Sequence, residues 1–336
     1  MSAVGASAGR VAAHLGRRVA WRRQEIAFWA LTLLAIIFMP AHAGLFNEIL
    51  VAGLFALSLD LILGLAGIVS LGHAAFFGIG AYVAALLANA GFADPTLGLP
   101  VAALAAGGLG LVTAPLLLRG SDLTRLMVTM GVALMLGALA NKLEWLTGGS
   151  DGLSVTIGPL LGHFSIGFAG QRNAALYSFV TLFALFVIAR KLARSPFGLS
   201  LAAIRENRVR AGALGVVVGR RVAAIYAVSA AYAGVAGALL AQTTQIVSID
   251  VYDFRRSAGV MLMLIIGGAG WQYGGLIGAA LFIVLKDVIS GATPEYWEFW
   301  IGALLVAFVL FGRERLRALP KRALAALART RGGGAI

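Results

Sequence analysis

The sequence predicts an all-α, polytopic integral membrane protein of about ten transmembrane helices with glycine-rich broken or re-entrant segments. Three observations carry that prediction. Of the 336 residues, 60% are hydrophobic and only 12% are charged, about half the charged share of an ordinary soluble domain. Mean hydropathy is +0.91. The 27 Lys and Arg, against 14 Asp and Glu, sit in blocks between apolar runs, the pattern of cytoplasmic loops. So little polar surface cannot cover a core of this size in water, which excludes a soluble enzyme. The block placement of the +13 net charge likewise excludes nucleic acid as its partner.

A crossing helix needs about twenty mostly apolar residues. The stretches that qualify, some of them short, are 26–43, 49–65, 74–90, 97–118, 126–145, 174–189, 222–242, 257–270, 275–289 and 296–311. Residues 1–25 are polar and basic, with no cleavage site after a short apolar core, and read as a cytoplasmic tail rather than a signal peptide. Residues 26–312 form the transmembrane domain, residues 190–221 within it form a cytoplasmic loop, and 313–336 are a basic cytoplasmic tail. With the N-terminus inside, the inner segments hold 22 of the 27 basic residues. The outer ones hold Lys142, Arg172, Arg255 and Arg256, while Lys286 falls within a span. Adding or dropping a span would place either the 190–221 block or the C-terminal tail outside, against this bias. Both termini are therefore expected on the cytoplasmic side.

The chain carries no phosphate loop and no nucleophile turn. It has no cysteine, and His14, His42, His73 and His163 lack metal-ligand spacing. Catalysis, metals and cofactors are not expected in this chain, so a gradient or a partner must supply energy.

Glycines cluster at Gly64, Gly67, Gly72, Gly78 and Gly80, and again at Gly267, Gly268, Gly270, Gly274, Gly275 and Gly278. Small residues let helix backbones approach closely; broken helices can also line a path. Asp60 lies inside the second span, where a carboxylate costs about 2.5–3.5 kcal/mol. It reads either as a helix-joining side chain or as a group met by the passing ligand. Ser70 and His73 flank the break before the third span. A helix starting there either aims free N–H groups at a carboxylate or is capped by Ser70. Asp60, Ser70, Gly72, His73, Gly267, Gly268 and Gly270 are the candidate translocation-path residues.

In the 190–221 loop, Leu201, Ile204, Val209, Ala211 and Leu214 recur at near-helical intervals, while Arg205, Arg208 and Arg210 point largely elsewhere and Gly215 provides a stop. A short amphipathic helix is predicted, lying on anionic lipid or docked in a groove of a cytoplasmic partner. On the other side, Ser150-Asp151-Gly152 reads as a turn. Together with Arg255 and Arg256 it offers contacts to an external partner.

The run Ala56 to Tyr82, with Ser70-Leu71-Gly72-His73 within it, resembles the signature of membrane permeases of branched-chain amino acid-type ABC importers. So do Thr147 to Leu153, Ala203 to Gly215, and Gly267 to Gly278, in order from about residue 50 to 310. The Ser-Leu-Gly-His element is specific; the glycine clusters alone are not. The resemblance implies a subunit of a bacterial inner-membrane importer that works with a second, homologous permease chain. Cytoplasmic ATPase subunits would hold ATP and Mg, and a periplasmic solute-binding protein would deliver the ligand at Ser150, Asp151, Arg255 and Arg256. It implies that Ile204, Arg205, Glu206, Asn207, Arg208, Ala211, Leu214 and Gly215 form the coupling helix on the ATPase. Branched-chain amino acids lead among the ligands, ahead of urea, amides and organic acids. Asp60 replaces the family's usual Asn, and Leu65 a frequent aromatic; both departures bear on the ligand carried. The competing expectation is a gradient-driven carrier with Asp60 as its coupling carboxylate.

Overall fold

The computed structural model describes residues 21–118, 122–159, 166, 170–296, 299–300, 302–303 and 306. Helix α1 (Arg23–Phe38) passes through a 3-10 turn at Pro40–His42 into α2 (Ala43–Ala66). Then come α3 (His73–Asn89), α4 (Pro95–Leu118), α5 (Asp122–Lys142) and a single turn, α6 (Glu144–Thr147). Helices α7 (Gln171–Arg194), α8 (Pro196–Glu206) and α9 (Arg208–Ala213) precede α10 (Val218–Thr244). α11 (Phe254–Gly267) and α12 (Gln272–Ala292) complete the series. Among the described residues, strand pairing is confined to an antiparallel ladder of β1 (Leu153–Ser154) with β2 (Ile246–Val247), in the register Leu153 to Val247 and Ser154 to Ile246.

The all-α, polytopic class stands, while the described residues do not confirm ten crossings. Among the described residues, six segments are long and apolar enough to cross a membrane: Pro40–Ala66, Pro95–Leu118, Leu123–Lys142, Gln171–Arg194, Val218–Thr244 and Gln272–Ala292. The predicted spans 26–43, 74–90 and 257–270 fall on α1, α3 and α11, of 16, 17 and 14 residues. Hydropathy measures what is hidden from water, and hidden chain need not be helical throughout. The α2–α3 connection, residues 67–72, is as apolar as its neighbours yet leaves the helix at Gly67, whose φ of +69° ends α2. Most of the predicted span 296–311, residues 1–20 of the N-terminal tail and the whole C-terminal tail lie outside the described residues.

Residues 1–280 form one compact unit and residues 281–336 a second, in which α12 runs on to Ala292. At the centre of the first unit, α10 packs along its length against α4, α3 and α2, and α2 also packs on α7. Protein buries 72% of the apolar window of α10 and 78% of that of Pro40–Ala66, but only 22% of Leu123–Lys142. The central helices are therefore protein-facing all round, and α5 is largely peripheral. Alanine and glycine permit the central crossings. A β-carbon on Gly80 of α3 would overlap the Gly234 carbonyl of α10, and one on Gly237 would overlap the Phe77 carbonyl. Some polar groups inside join helices: Ser178 Oγ donates to Asn47 Oδ1 at 2.6 Å, and Asn47 Nδ2 to Thr243 Oγ1 at 3.0 Å.

The 27 residues of α10 rise ~40 Å. They separate α8 and α9, before its N-terminus, from the β1–β2 ladder after its C-terminus. At the α8 end the first helix is fixed by charge. Arg190 Nη1 of α7 donates to Glu25 Oε2 of α1 at 2.7 Å, and its guanidinium lies 4.3 Å from the Trp21 ring centroid.

Candidate functional site

The loop between α7 and α10 folds as two helices where one was predicted. Ser195 caps α8, its Oγ accepting the Gly198 N–H at 3.3 Å, and Pro196 takes the first helical position, where its missing N–H costs nothing. Asn207 then adopts extended φ/ψ of −158° and 106°, and its Oδ1 accepts the Arg210 N–H at 2.9 Å to start α9. That break splits the predicted apolar stripe. Leu201, Ile204 and Ala211 are buried in the bundle, while Val209 and Leu214 are 84% and 77% exposed. Glu206, Asn207 and Arg210 are exposed as well. Gly215 follows α9 with φ of +87°, the left-handed exit that favours glycine. Arg205 turns back toward the bundle, its stem crossing Gly67, and Nη1 donates to the Gly64 carbonyl at 2.5 Å.

Asp60 sits 3% exposed in the last two turns of α2. Its Oδ1 accepts the Gly270 N–H at 2.6 Å, which gives the buried carboxylate the donor it needs. Gly270 lies in the turn from α11 to α12 with φ of +81°. Glycine at position 64 lets that turn approach, since a β-carbon there would stand 2.9 Å from Gly270 Cα. Asp60, Leu61, Gly64, Leu65, Ala193, Gly270, Trp271 and Gln272 line a cavity of about 170 Å³. Gly267 and Gly268 end α11 against Gly274 of α12. Of the predicted path residues, Asp60 and Gly270 therefore meet at the α8 end of the bundle, flanked by Gly267 and Gly268.

Ser70, Gly72 and His73 form a separate group. Helix α3 begins at His73 with Gly72, not Ser70, at the cap position; this corrects the predicted Ser70 cap. Two N–H groups of the first turn have partners. Ala74 N–H donates to Ser257 Oγ of α11 at 2.9 Å, and Ala75 N–H to the Gly72 carbonyl at 3.0 Å. A side chain from a distant helix thus caps part of this helix start. His73 is fully buried, between the rings of Phe55 and Phe76. Its Nε2 lies 2.9 Å from Ser229 Oγ, which donates to the Ser58 carbonyl at 2.5 Å. The serine proton is committed to that carbonyl, so Nε2 carries the imidazole hydrogen. Ser257→Ala should cost about 1 kcal/mol, the value of a lost helix cap, read as a lower melting point in detergent with the fold intact. An unchanged melting point would show that the bond contributes nothing.

The sequence of the family described as branched-chain amino acid transport system / permease component matches residues 41–309. The chain belongs to this family. The permease is 30% identical over 289 residues to the high-affinity branched-chain amino acid transport system permease protein LivM of Escherichia coli (strain K12), covering 78% of the chain and 67% of that relative. LivM of Salmonella typhimurium matches to the same extent. No solved structure matches. The matched region opens just before α2 and takes in every later helix described above, so the permease is a multi-pass transport component rather than an enzyme.

At the far end of the permease, the β1–β2 ladder brings residues 153–154 beside 246–247, and so sets the 3-10 turn Gly149–Asp151 near the segment leading to α11. The Ser150 side chain lies outside the described residues. Arg255 is exposed, 3.8 Å from Asp253. Arg256 departs from expectation: it turns inward, with Nε donating to the Asp250 carbonyl at 3.1 Å and the guanidinium 5.5 Å from the Phe77 ring centroid. Ser58, Ser229 and Ser257, which organise the permease interior around His73, were missed by sequence reasoning. A lone hydroxyl in an apolar run is too common to stand out. The Glu25–Arg190 pair was missed as well, because its members are 165 residues apart.

Proposed function

We propose that this permease is the membrane subunit of a bacterial ATP-driven importer, moving branched-chain amino acids or a similar small polar solute across the inner membrane by alternating access. Two cytoplasmic ATPase subunits holding ATP and Mg supply the work, a second homologous permease chain completes the pathway, and a periplasmic solute-binding protein delivers the ligand. The α8 end faces the cytoplasm, with both termini, and the ladder end with Asp151 and Arg255 faces the binding protein. Lipid covers outward side chains such as Leu104, Val112 and Met135.

The observation that carries this reading is the uncovered side of the α8–α9 hairpin. Leu201, Ile204 and Ala211 root it in the bundle, while Val209 and Leu214 are left as outward apolar anchors beside exposed Arg210. A partner groove lined with apolar and acidic groups suits that surface. A gradient-driven carrier using Asp60 is less well supported, because the carboxylate is buried and engaged by a backbone N–H.

The double substitution Val209→Asp with Leu214→Asp should leave the permease folded, since both sites are exposed. It should lower co-purified ATPase by more than about tenfold, as loss of two interface anchors allows. ATPase retained at the wild-type level would overturn the assignment.

A further inference from the structure

Two separate elements meet α2 at its α8 end, each through one polar side chain. Arg205, in the last turn of α8, donates to the Gly64 carbonyl at 2.5 Å. One helical turn earlier, Asp60 Oδ1 accepts the Gly270 N–H at 2.6 Å. Arg205 is also the cation whose charge faces the Asp60 carboxylate. The contacts thus run without a gap from α8, through Arg205, the end of α2 and Asp60, to the turn that starts α12. The receiving turn has space beside it: it borders the cavity of about 170 Å³, and Trp271 beside it is 54% exposed. Gln272 Nε2, which lines the same cavity, is buried without a hydrogen-bond partner. An unsatisfied buried donor marks a place where another arrangement can be better satisfied.

We propose that Arg205 and Asp60 are positioning residues that relay movement of the α8–α9 hairpin to the α11–α12 turn. The proposal rests on the reading of that hairpin as the ATPase contact. Packing alone would transmit a push, but these bonds also transmit a pull, because a charge-assisted hydrogen bond resists separation in both directions. The relay also accounts for a carboxylate at position 60. The Gly270 N–H lies in a turn that allows it no helical partner, and Asp60 Oδ1 supplies its acceptor.

The chain has no cysteine, so Trp271→Cys introduces a unique thiol on the receiving turn. In the complete assembly with its ATPases, the labelling rate of that thiol should differ by about tenfold between the nucleotide-free and vanadate-trapped states, the size of a modest population shift. Adding Arg205→Ala or Asp60→Ala should collapse the difference to within about twofold while the ATPase stays bound. Combining the two should do no more than either alone, as expected for links in series. Asp60→Asn, which keeps an acceptor for Gly270, should restore most of the response; a merely structural loss would not be rescued in this readout. Arg205 is itself an exposed residue, so Arg205→Ala should assemble, and that arm is decisive even where Asp60→Ala fails to. A nucleotide response that is absent in the parent, or that persists in both alanine variants, overturns the relay. Failure of the parent chain to retain any ATPase overturns the coupling reading beneath it.

Discussion

Gly80→Val is expected to leave almost no folded permease in a detergent extract. Position 80 is where α3 crosses the buried face of α10, and even a single β-carbon there would overlap the Gly234 carbonyl. The obstacle is backbone, which no rotamer change removes. Gly234 cannot retreat, because a β-carbon on its own far side would already meet the Ala102 carbonyl at 2.8 Å on α4. Valine at position 80 must push apart three packed helices, and the expected cost exceeds about 4 kcal/mol, a range reserved for overpacked cores and similar failures. Gly108→Ala is the control. Nothing lies within 4 Å of a β-carbon at that position, and alanine should be neutral or add up to about 1 kcal/mol through helix propensity. Monodisperse yield and melting point in one detergent compare the two. A Gly80→Val variant purifying like the parent would mean that the α3–α10 crossing is looser than described.

Glu25→Gln is expected to be nearly as damaging, for an electrostatic reason. The Arg190 side chain is 5% exposed and that of Glu25 is 16% exposed, at 2.7 Å. Removing one partner of a buried pair costs about 3–5 kcal/mol because the other charge is left uncompensated. The lower end applies here, since Glu25 keeps some access to water and Arg190 rests on the Trp21 ring. The pair also sets a pH dependence. Burial pulls the Glu25 carboxyl upward, but the Arg22 backbone N–H and the Arg190 guanidinium pull it further down, so it lies below its ordinary value of 4.5. A carboxyl depressed by folding contributes stability that is fully present above 4.5 and is lost as pH falls through the folded value. The melting-point gap between parent and Glu25→Gln should therefore be constant from pH 7 to about pH 5 and close below that. A gap that stays open at pH 3 would assign the effect to shape rather than charge.

The limits of the sequence reading show at particular residues. Periodicity placed Leu201, Ile204 and Ala211 on one face, and all three are buried. The same periodicity put Val209 and Leu214 with them, and the extended backbone at Asn207 turned both outward. One residue leaving the helix is enough to rotate everything after it, and asparagine is as ordinary inside a loop as at a cap. Asp60 was recognisable as costly in a membrane, but its partner is a backbone N–H 210 residues away, and backbone groups carry no sequence signal. The break between Ala66 and His73 was expected from its glycines. The cap that occupies the start of α3 comes from Ser257, 183 residues from Ala74. Arg256 read as an outward charge until Phe77 and the Asp250 carbonyl were found beneath it.

Composition and charge placement by themselves determined that this chain is a helical, multi-pass membrane component. Those properties are sums over many residues, and a sum survives local error. Tertiary structure alone decided which helices are central, where α3 and α11 begin, and that α8 and the α11–α12 turn meet the same end of α2 through Arg205 and Asp60. These depend on single contacts between residues far apart in the chain, made at distances of about 3 Å, and a linear pattern holds no record of such distances.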